Sequence, residues 1–329
     1  MKQKKWKRVA WKVLEIREIG AIIPLMIAFI LFTSLSDKFL AYDNLLNVMR
    51  NASFNIICGI GMGYLLITAR LDLALGATYS MGGVLVGIAM MQWGLPIWLS
   101  IIIAVLAGGL VGACSATFIE KVQLPPFIAT TGMQFVVKGL VQGITRGNPV
   151  YPLPDAFLKV GQEDLVVFGL KIPWLVVIAV VMSVIAGLVL KYTTYGRRLY
   201  AIGGNGEAAR LAGIPSTKLY YSVFILCGML AAFAGVLQAS RLGSAQTTVG
   251  VGIEGTIIAA AVIGGISMGG GVGSILGMVL GSFFMALITN GMTLIKISAY
   301  WQVMVTGIML LIACSLDYIR KLVKTKLSD

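Results

Sequence analysis

Long apolar runs recur along almost the whole chain, too many for a soluble fold to bury. A membrane-crossing helix needs about 20 mostly apolar residues. Runs of that kind lie near 19–36, 52–69, 73–91, 96–118, 126–144, 173–190, 220–240, 249–268, 272–290 and 300–318. The expected fold class is therefore an all-α polytopic membrane protein with about ten transmembrane helices. Composition agrees, with 58% hydrophobic and only 12% charged residues, where soluble domains carry about 25% charge. The 40 glycines suit membrane helices, where small residues let backbones approach closely. Arg70-Leu71-Asp72 is a tight break, so the second and third spans form a hairpin or one of them is discontinuous.

Orientation follows from Lys and Arg, which concentrate in cytoplasmic segments. The basic segment 1–18, the connector 119–125, the loop 191–219 and the tail 319–329 hold most of them. The 145–172 loop has only Arg146, Lys159 and Lys171, offset by Asp155, Glu163 and Asp164. An even number of spans then places both termini in the cytoplasm, with 145–172 outside. The segment 1–18 reads as a cytoplasmic helix on the membrane surface, leading into one transmembrane domain over 19–318. The net charge of +13 is explained by this topology and by anionic lipid, and no nucleic-acid partner is expected.

Several chemistries are excluded. There is no histidine, which removes imidazole proton relays, Ser–His pairs and zinc motifs built on His. Cys58, Cys114, Cys227 and Cys314 each sit in an apolar run without metal spacing. No catalytic and no metal-binding residue is expected. The chain has no G-x-x-x-x-G-K-[ST], and not even a Gly-Lys dipeptide, so it holds no P-loop for ATP.

The segment YGRRLYAIGGNGEAARLAGI, 195–214, interrupts the apolar pattern on the cytoplasmic side. Asn205 is a natural N-cap and Glu207 falls in the first turn, where the helix dipole favours negative charge. Glu207 and Arg210 are spaced to pair. Gly213 suits the left-handed position that ends a helix, and Pro215 blocks continuation. A helix of two turns is not stable alone in water, so it must rest on this chain, on lipid or on a partner.

This segment resembles the cytoplasmic coupling loop of ABC-importer permeases of the ribose-type monosaccharide group. LDLALG at 71–76, PPFIATTG at 125–132 with Lys138-Gly139, SRLGSAQ at 240–246, AAAVIGGISMGGGVGS at 259–274, Asn290-Gly291 and Tyr300-Trp301-Gln302 also resemble that family's elements, in order, over 43–317. Departures are Thr247 where the family has Pro, Thr256 where it has an acid, and Ala74 where it has Ser. The resemblance implies an inner-membrane subunit of a bacterial ATP-driven importer for ribose or a related sugar. It implies three partners: a separate, double-domain ATPase that binds ATP and Mg, an extracytoplasmic solute-binding protein, and a second permease copy. Gly196, Arg197, Arg198, Asn205, Glu207, Ala208, Ala209, Arg210, Leu211 and Gly213 are the implied ATPase-coupling residues.

A sugar has no charge to pair, so its path needs uncharged hydrogen-bonding side chains. Asn51, Asn55, Thr131, Gln134, Gln246, Thr256, Asn290 and Gln302 are the candidates, each equally able to join helices. Asp72, Lys138 and Glu254 are ionisable groups in or near spans, where charge is costly. A structural or gating role is expected for them: an ion pair or helix cap for Asp72 and Glu254, and snorkelling or pairing in the bundle for Lys138. The alternatives are an ion-gradient-driven transporter, an intramembrane enzyme, and an importer of nucleosides or branched-chain amino acids.

Overall fold

The computed structural model describes residues 19–167 and 169–328; the expected surface helix 1–18 lies outside the described residues. Thirteen helices and one hairpin follow in order. They are α1 (Ile19–Leu35), α2 (Tyr42–Ile67), α3 (Leu75–Met91), α4 (Ile97–Glu120), α5 (Pro126–Thr145), α6 (Asp155–Gln162), β1 (Asp164–Val167), β2 (Leu170–Pro173), α7 (Trp174–Tyr192), α8 (Thr194–Gly204), α9 (Gly206–Leu211), α10 (Ser216–Leu242), α11 (Ile253–Ile263), α12 (Ile275–Leu294) and α13 (Ala299–Ser328). Each expected apolar run coincides with a helix. Among the described residues, α4, α7, α10, α12 and α13 are helices long and apolar enough to cross a membrane.

Two helices are buried on all sides. Every residue of α2 from Ala52 to Ile67 except Asn55 is buried, and in α3 every residue from Leu75 to Met90 except Leu85. α10 and α12 pack against α2, and α4 joins α10 and α3. The outer helices turn apolar faces outward: Leu106 and Leu110 of α4, Phe135 and Val136 of α5, Val180 and Val184 of α7, Val303 and Leu311 of α13. Aliphatic side chains on the outside and small ones at the contacts are what a lipid solvent selects.

Glycine makes the helix contacts close. A Cβ on Gly228 of α10 would collide with the Gly108 carbonyl oxygen of α4, and a Cβ on Gly108 with that of Gly228. Gly264 and Gly277 oppose each other in the same way beside α11 and α12. Such approaches place two backbones in direct dispersion contact.

The structure corrects one expected span. The run 249–268 contains only the 11-residue α11, which at 1.5 Å per residue covers about half of the ~30 Å hydrocarbon layer. Gly252 precedes it at φ +81° and Gly265 follows at φ +87°, conformations that stop a helix at both ends. The 70–72 break is resolved as a short connector between α2 and α3, with Asp72 buried and Arg70 and Leu71 half-buried.

α7 separates two ends of the bundle. At one end α6 is seated on the C-terminus of α10: Gly161 N–H donates to Ser240 Oγ (3.0 Å), which donates to Phe157 O (2.6 Å). The β1–β2 hairpin is tied to α2 by the Arg50–Asp164 ion pair and by Tyr42, whose hydroxyl accepts from Lys171 N–H (2.9 Å) and donates to its carbonyl (3.0 Å). The 145–172 loop is thus fastened to the bundle. At the other end sit α8 and α9.

A bulky residue at a glycine crossing should abolish packing. Gly228→Leu is expected to lose the monodisperse peak of the detergent-solubilised protein in size-exclusion chromatography. Gly132→Leu, where a side chain meets nothing within 4 Å, is expected to retain it.

Candidate functional site

The 193–214 segment folds as two linked helices. Thr193 caps α8, its Oγ1 accepting from Gly196 N–H (3.2 Å). Leu199 and Ile202, three residues apart, are buried together, while Arg197 and Arg198 are exposed. Asn205 both ends α8, its N–H donating to Ala201 O (3.1 Å), and caps α9, its Oδ1 accepting from Ala208 N–H (2.9 Å). α9 closes at Gly213, φ +75°, whose N–H donates to Arg210 O (3.0 Å). The expected cap and stop are therefore present. The expected Glu207–Arg210 pair is not formed: both side chains are exposed, and side-chain entropy offsets the few tenths of a kcal/mol such a pair contributes.

The helix pair is anchored on its inner side and open on its outer side. Ala209 is buried in the main core. The Tyr195 and Ser222 hydroxyls share a hydrogen bond (2.8 Å), and the Tyr195 ring meets Tyr64 edge-on at 6.5 Å. Burial pushes the Tyr195 phenol above its ordinary pKa, the Ser222 bond pulling the other way, so it stays protonated at neutral pH. Tyr200 Oη donates to Gly273 O (2.7 Å). Outward, Gly206, Glu207, Ala208, Arg210 and Leu211 are exposed, Leu211 by 79%. Leu211 is the one large apolar side chain on this surface.

The polar residues inside the bundle do not form one wall. Asn51 Oδ1 accepts from Arg241 Nη1 (2.7 Å), and Asn55 lies half-buried one turn further along α2. Asn290 and Asn44 exchange two amide hydrogen bonds (2.9 and 3.1 Å), joining α12 to α2. Gln302 donates to Thr293 Oγ1 (3.2 Å) and Ile297 O (2.9 Å) across the α12–α13 turn. Gln246 is exposed near α6 and its hairpin. Gln134 of α5 meets Glu254 of α11, Nε2 donating to Oε1 (3.2 Å). Thr131, one turn before Gln134, has a buried Oγ1 without a hydrogen-bond partner among the described residues, as has Glu254 Oε2. Thr256 Oγ1 makes only a long bond to its own helix (3.5 Å).

The structure separates the alternatives for the ionisable residues. Asp72 makes no ion pair; it is buried, and its Oδ1 accepts from Ala74 N–H (2.9 Å) at the entry to α3. Lys138 is exposed on α5 and does not pair in the bundle. The ion pairs among the described residues are Arg50–Asp164 and Arg70–Glu120. Arg70 also lies 4.6 Å over the Tyr220 ring, and with Glu120, Gln123 and Pro125 it lines a cavity of about 370 Å³ near the α8 end. Sequence reasoning noticed Arg70 but not its partner 50 residues on.

Helices of membrane-crossing length around two largely buried ones, with a capped helix pair standing off one end, define a multi-pass integral membrane protein. Residues 44–314 match the family described as branched-chain amino acid transport system / permease component, and the chain belongs to that permease family of the bacterial inner membrane. It is similar to the ribose import permease protein of Haemophilus influenzae, 34% identical over 91% of this chain and 93% of that protein. The ribose import permease protein of Bacillus subtilis is 35% identical, over 92% of each. The xylose transport system permease protein of Escherichia coli is 32% identical, over 91% of this chain and 90% of its own length. No solved structure gives a significant match.

Asn205 holds the junction of α8 and α9. Removing an N-cap costs about 1 kcal/mol, so Asn205→Ala is expected to speed amide exchange over 206–211 roughly five-fold, and Asn205→Asp to leave it near wild type. Peptide-resolved hydrogen exchange in detergent measures this.

Proposed function

We propose that the chain is the membrane-spanning subunit of an ATP-driven importer that moves a monosaccharide, ribose or a related pentose or hexose, by alternating access. The relatives named above are permeases for ribose and xylose. The observation that carries the mechanism is α8–α9: a short helix, capped at Asn205, anchored through Ala209 and exposing Glu207, Arg210 and Leu211. An exposed leucine between charged residues on a braced helix suits insertion into a groove of a partner. In this reading the partner is a separate, double-domain ATPase that holds ATP and Mg, with Arg197, Arg198 and the exposed residues of 205–213 at the contact and the buried Gly196 and Ala209 supporting them from behind. Lys191, Arg197, Arg198, Arg210 and Lys218 cluster at this end, which supports a cytoplasmic position for it in this reading. The braced 145–172 segment then faces outward as the landing surface for a solute-binding protein, and a second permease completes the complex.

For the sugar path, Thr131, Gln134, Glu254 and Thr256 are the best placed of the candidates. Thr131 and Glu254 present buried oxygens without a hydrogen-bond partner among the described residues, which suits a ligand rich in hydroxyl groups. Asn51, Asn290 and Gln302 are engaged in helix contacts. Asp72, Lys138 and Glu254 are spread over three elements and form no carboxylate relay, so ATP is the better energy source.

Uptake by the purified complex in proteoliposomes separates the readings. Labelled ribose or xylose is expected to accumulate only with ATP and a binding protein, and to be insensitive to a protonophore. Uptake without ATP that collapses with the ion gradient would support the secondary transporter instead. Competition by leucine or a nucleoside, and none by pentoses, would redirect the substrate class.

A further inference from the structure

The loop 264–274 between α11 and α12 touches more elements than a connector needs. Its Gly271 N–H donates to Ile67 O at the end of α2 (2.8 Å). Its Gly273 carbonyl accepts from Tyr200 of α8. Its Ser267 Oγ and Met268 N–H both donate to Asp317 Oδ2 of α13 (3.1 and 3.2 Å). The loop also closes on itself, Ser267 N–H donating to Val272 O (3.1 Å).

The contact with α8 is made by bare backbone. Gly270 and Gly271 have φ +80° and +71°, a region that favours glycine. A Cβ on Gly270 would strike the Gly203 carbonyl and Ala69, and one on Gly271 would strike Gly204. A Cβ on Gly203 would strike Ile67 O and the Gly271 nitrogen. Around Gly203, Gly204, Gly270 and Gly271 the last turn of α8, the end of α2 and the loop therefore meet backbone to backbone, with only the Ala69 methyl among them. Close-packed contacts of this kind pass displacement on, because the interior has no slack to absorb it.

Beyond the loop, the Gly264–Gly277 crossing fuses the adjoining ends of α11 and α12. The far end of α11 carries Glu254, bound to Gln134.

We propose that the loop 264–274 is a second transmission contact, through which movement of α8–α9 reaches α11 and α12 directly, in addition to the covalent routes through α7 and α10. Tyr200 is the positioning residue that grips the loop, and the glycines of both partners are the bearing surface. This rests on the importer reading: α8–α9 is driven by nucleotide on a partner, and α11 holds the residues best placed on the sugar path. Loss of the grip uncouples the bundle from the partner without weakening the partner's hold on α9, because Tyr200 is on the inner side of α8 and Leu211 on the outer surface.

The test uses the complex purified with its ATPase, wild type against Tyr200→Phe, with hydrogen exchange read with and without ATP. The wild type is expected to change exchange at both 206–211 and 266–273 when ATP is added. In Tyr200→Phe the response at 206–211 and the hydrolysis rate are expected to persist. The response at 266–273 is expected to vanish, and uptake of the pentose that the wild type transports to fall roughly five-fold, the effect of one lost hydrogen bond. Gly203→Ala, which wedges α8 from the loop, is expected to act in the same direction. An undiminished response at 266–273 in Tyr200→Phe would overturn the proposal, as would uptake and hydrolysis falling together. A wild-type complex without an ATPase overturns the importer reading itself and is seen before any variant is compared.

Discussion

Close backbone contact at glycine is the interaction on which the rest of the structure depends. In lipid, helices gain nothing from hiding apolar surface, since the solvent is itself apolar; they associate by packing and by hydrogen bonds. α2 and α3 are buried because neighbouring backbone comes to rest on glycine Cα atoms, as at Gly61 of α2 against Cys227, and at Gly82 against Ala232 and Gly235 over Tyr79 for α3. This explains why glycine is abundant in long helices where its propensity is poor. It also explains why the outer helices can expose leucine, valine and phenylalanine freely.

Both ends of the central helix are fixed electrostatically. Arg50, on the outer part of α2, holds the β1–β2 hairpin through Asp164. Arg70, just beyond its other end, holds Glu120 at the end of α4 and stacks on Tyr220 of α10. Between these clamps α2 is buried from Ala52 to Ile67 except at Asn55, so it is a post against which other helices can shift. The elements bounded by glycine in left-handed conformations are the short α11 and the loop 264–274. A permease that alternates its access needs that division between a fixed post and hinged segments.

The apolar runs were legible because about twenty apolar residues have few destinations other than a membrane helix. Asn205, Gly213 and Pro215 were legible because caps and stops are local chemistry. α11 was misjudged as a full span because hydropathy counts side chains, whereas Gly252 and Gly265 act through the backbone. α8 was not anticipated; in the fold Gly203 and Gly204 let its last turn touch α2 and the loop. The polar candidates were legible as residues but not as roles. Whether Asn290 lines a path or joins helices depends on Asn44, 246 positions away, and no local pattern connects them. Glu254 and Gln134, 120 positions apart, were each singled out, yet their contact was invisible for the same reason.

The central claim is that a partner ATPase works this chain through α9. The most direct measurement is gentle purification of the tagged chain from its native membrane, with the copurifying proteins identified, for the wild type and for the Glu207→Arg, Arg210→Glu double variant. The account predicts a P-loop ATPase in stoichiometric amount with the wild type and its loss from the variant, with the permease itself still folded. An ATPase retained equally by both proteins, or absent from the wild type, would contradict it.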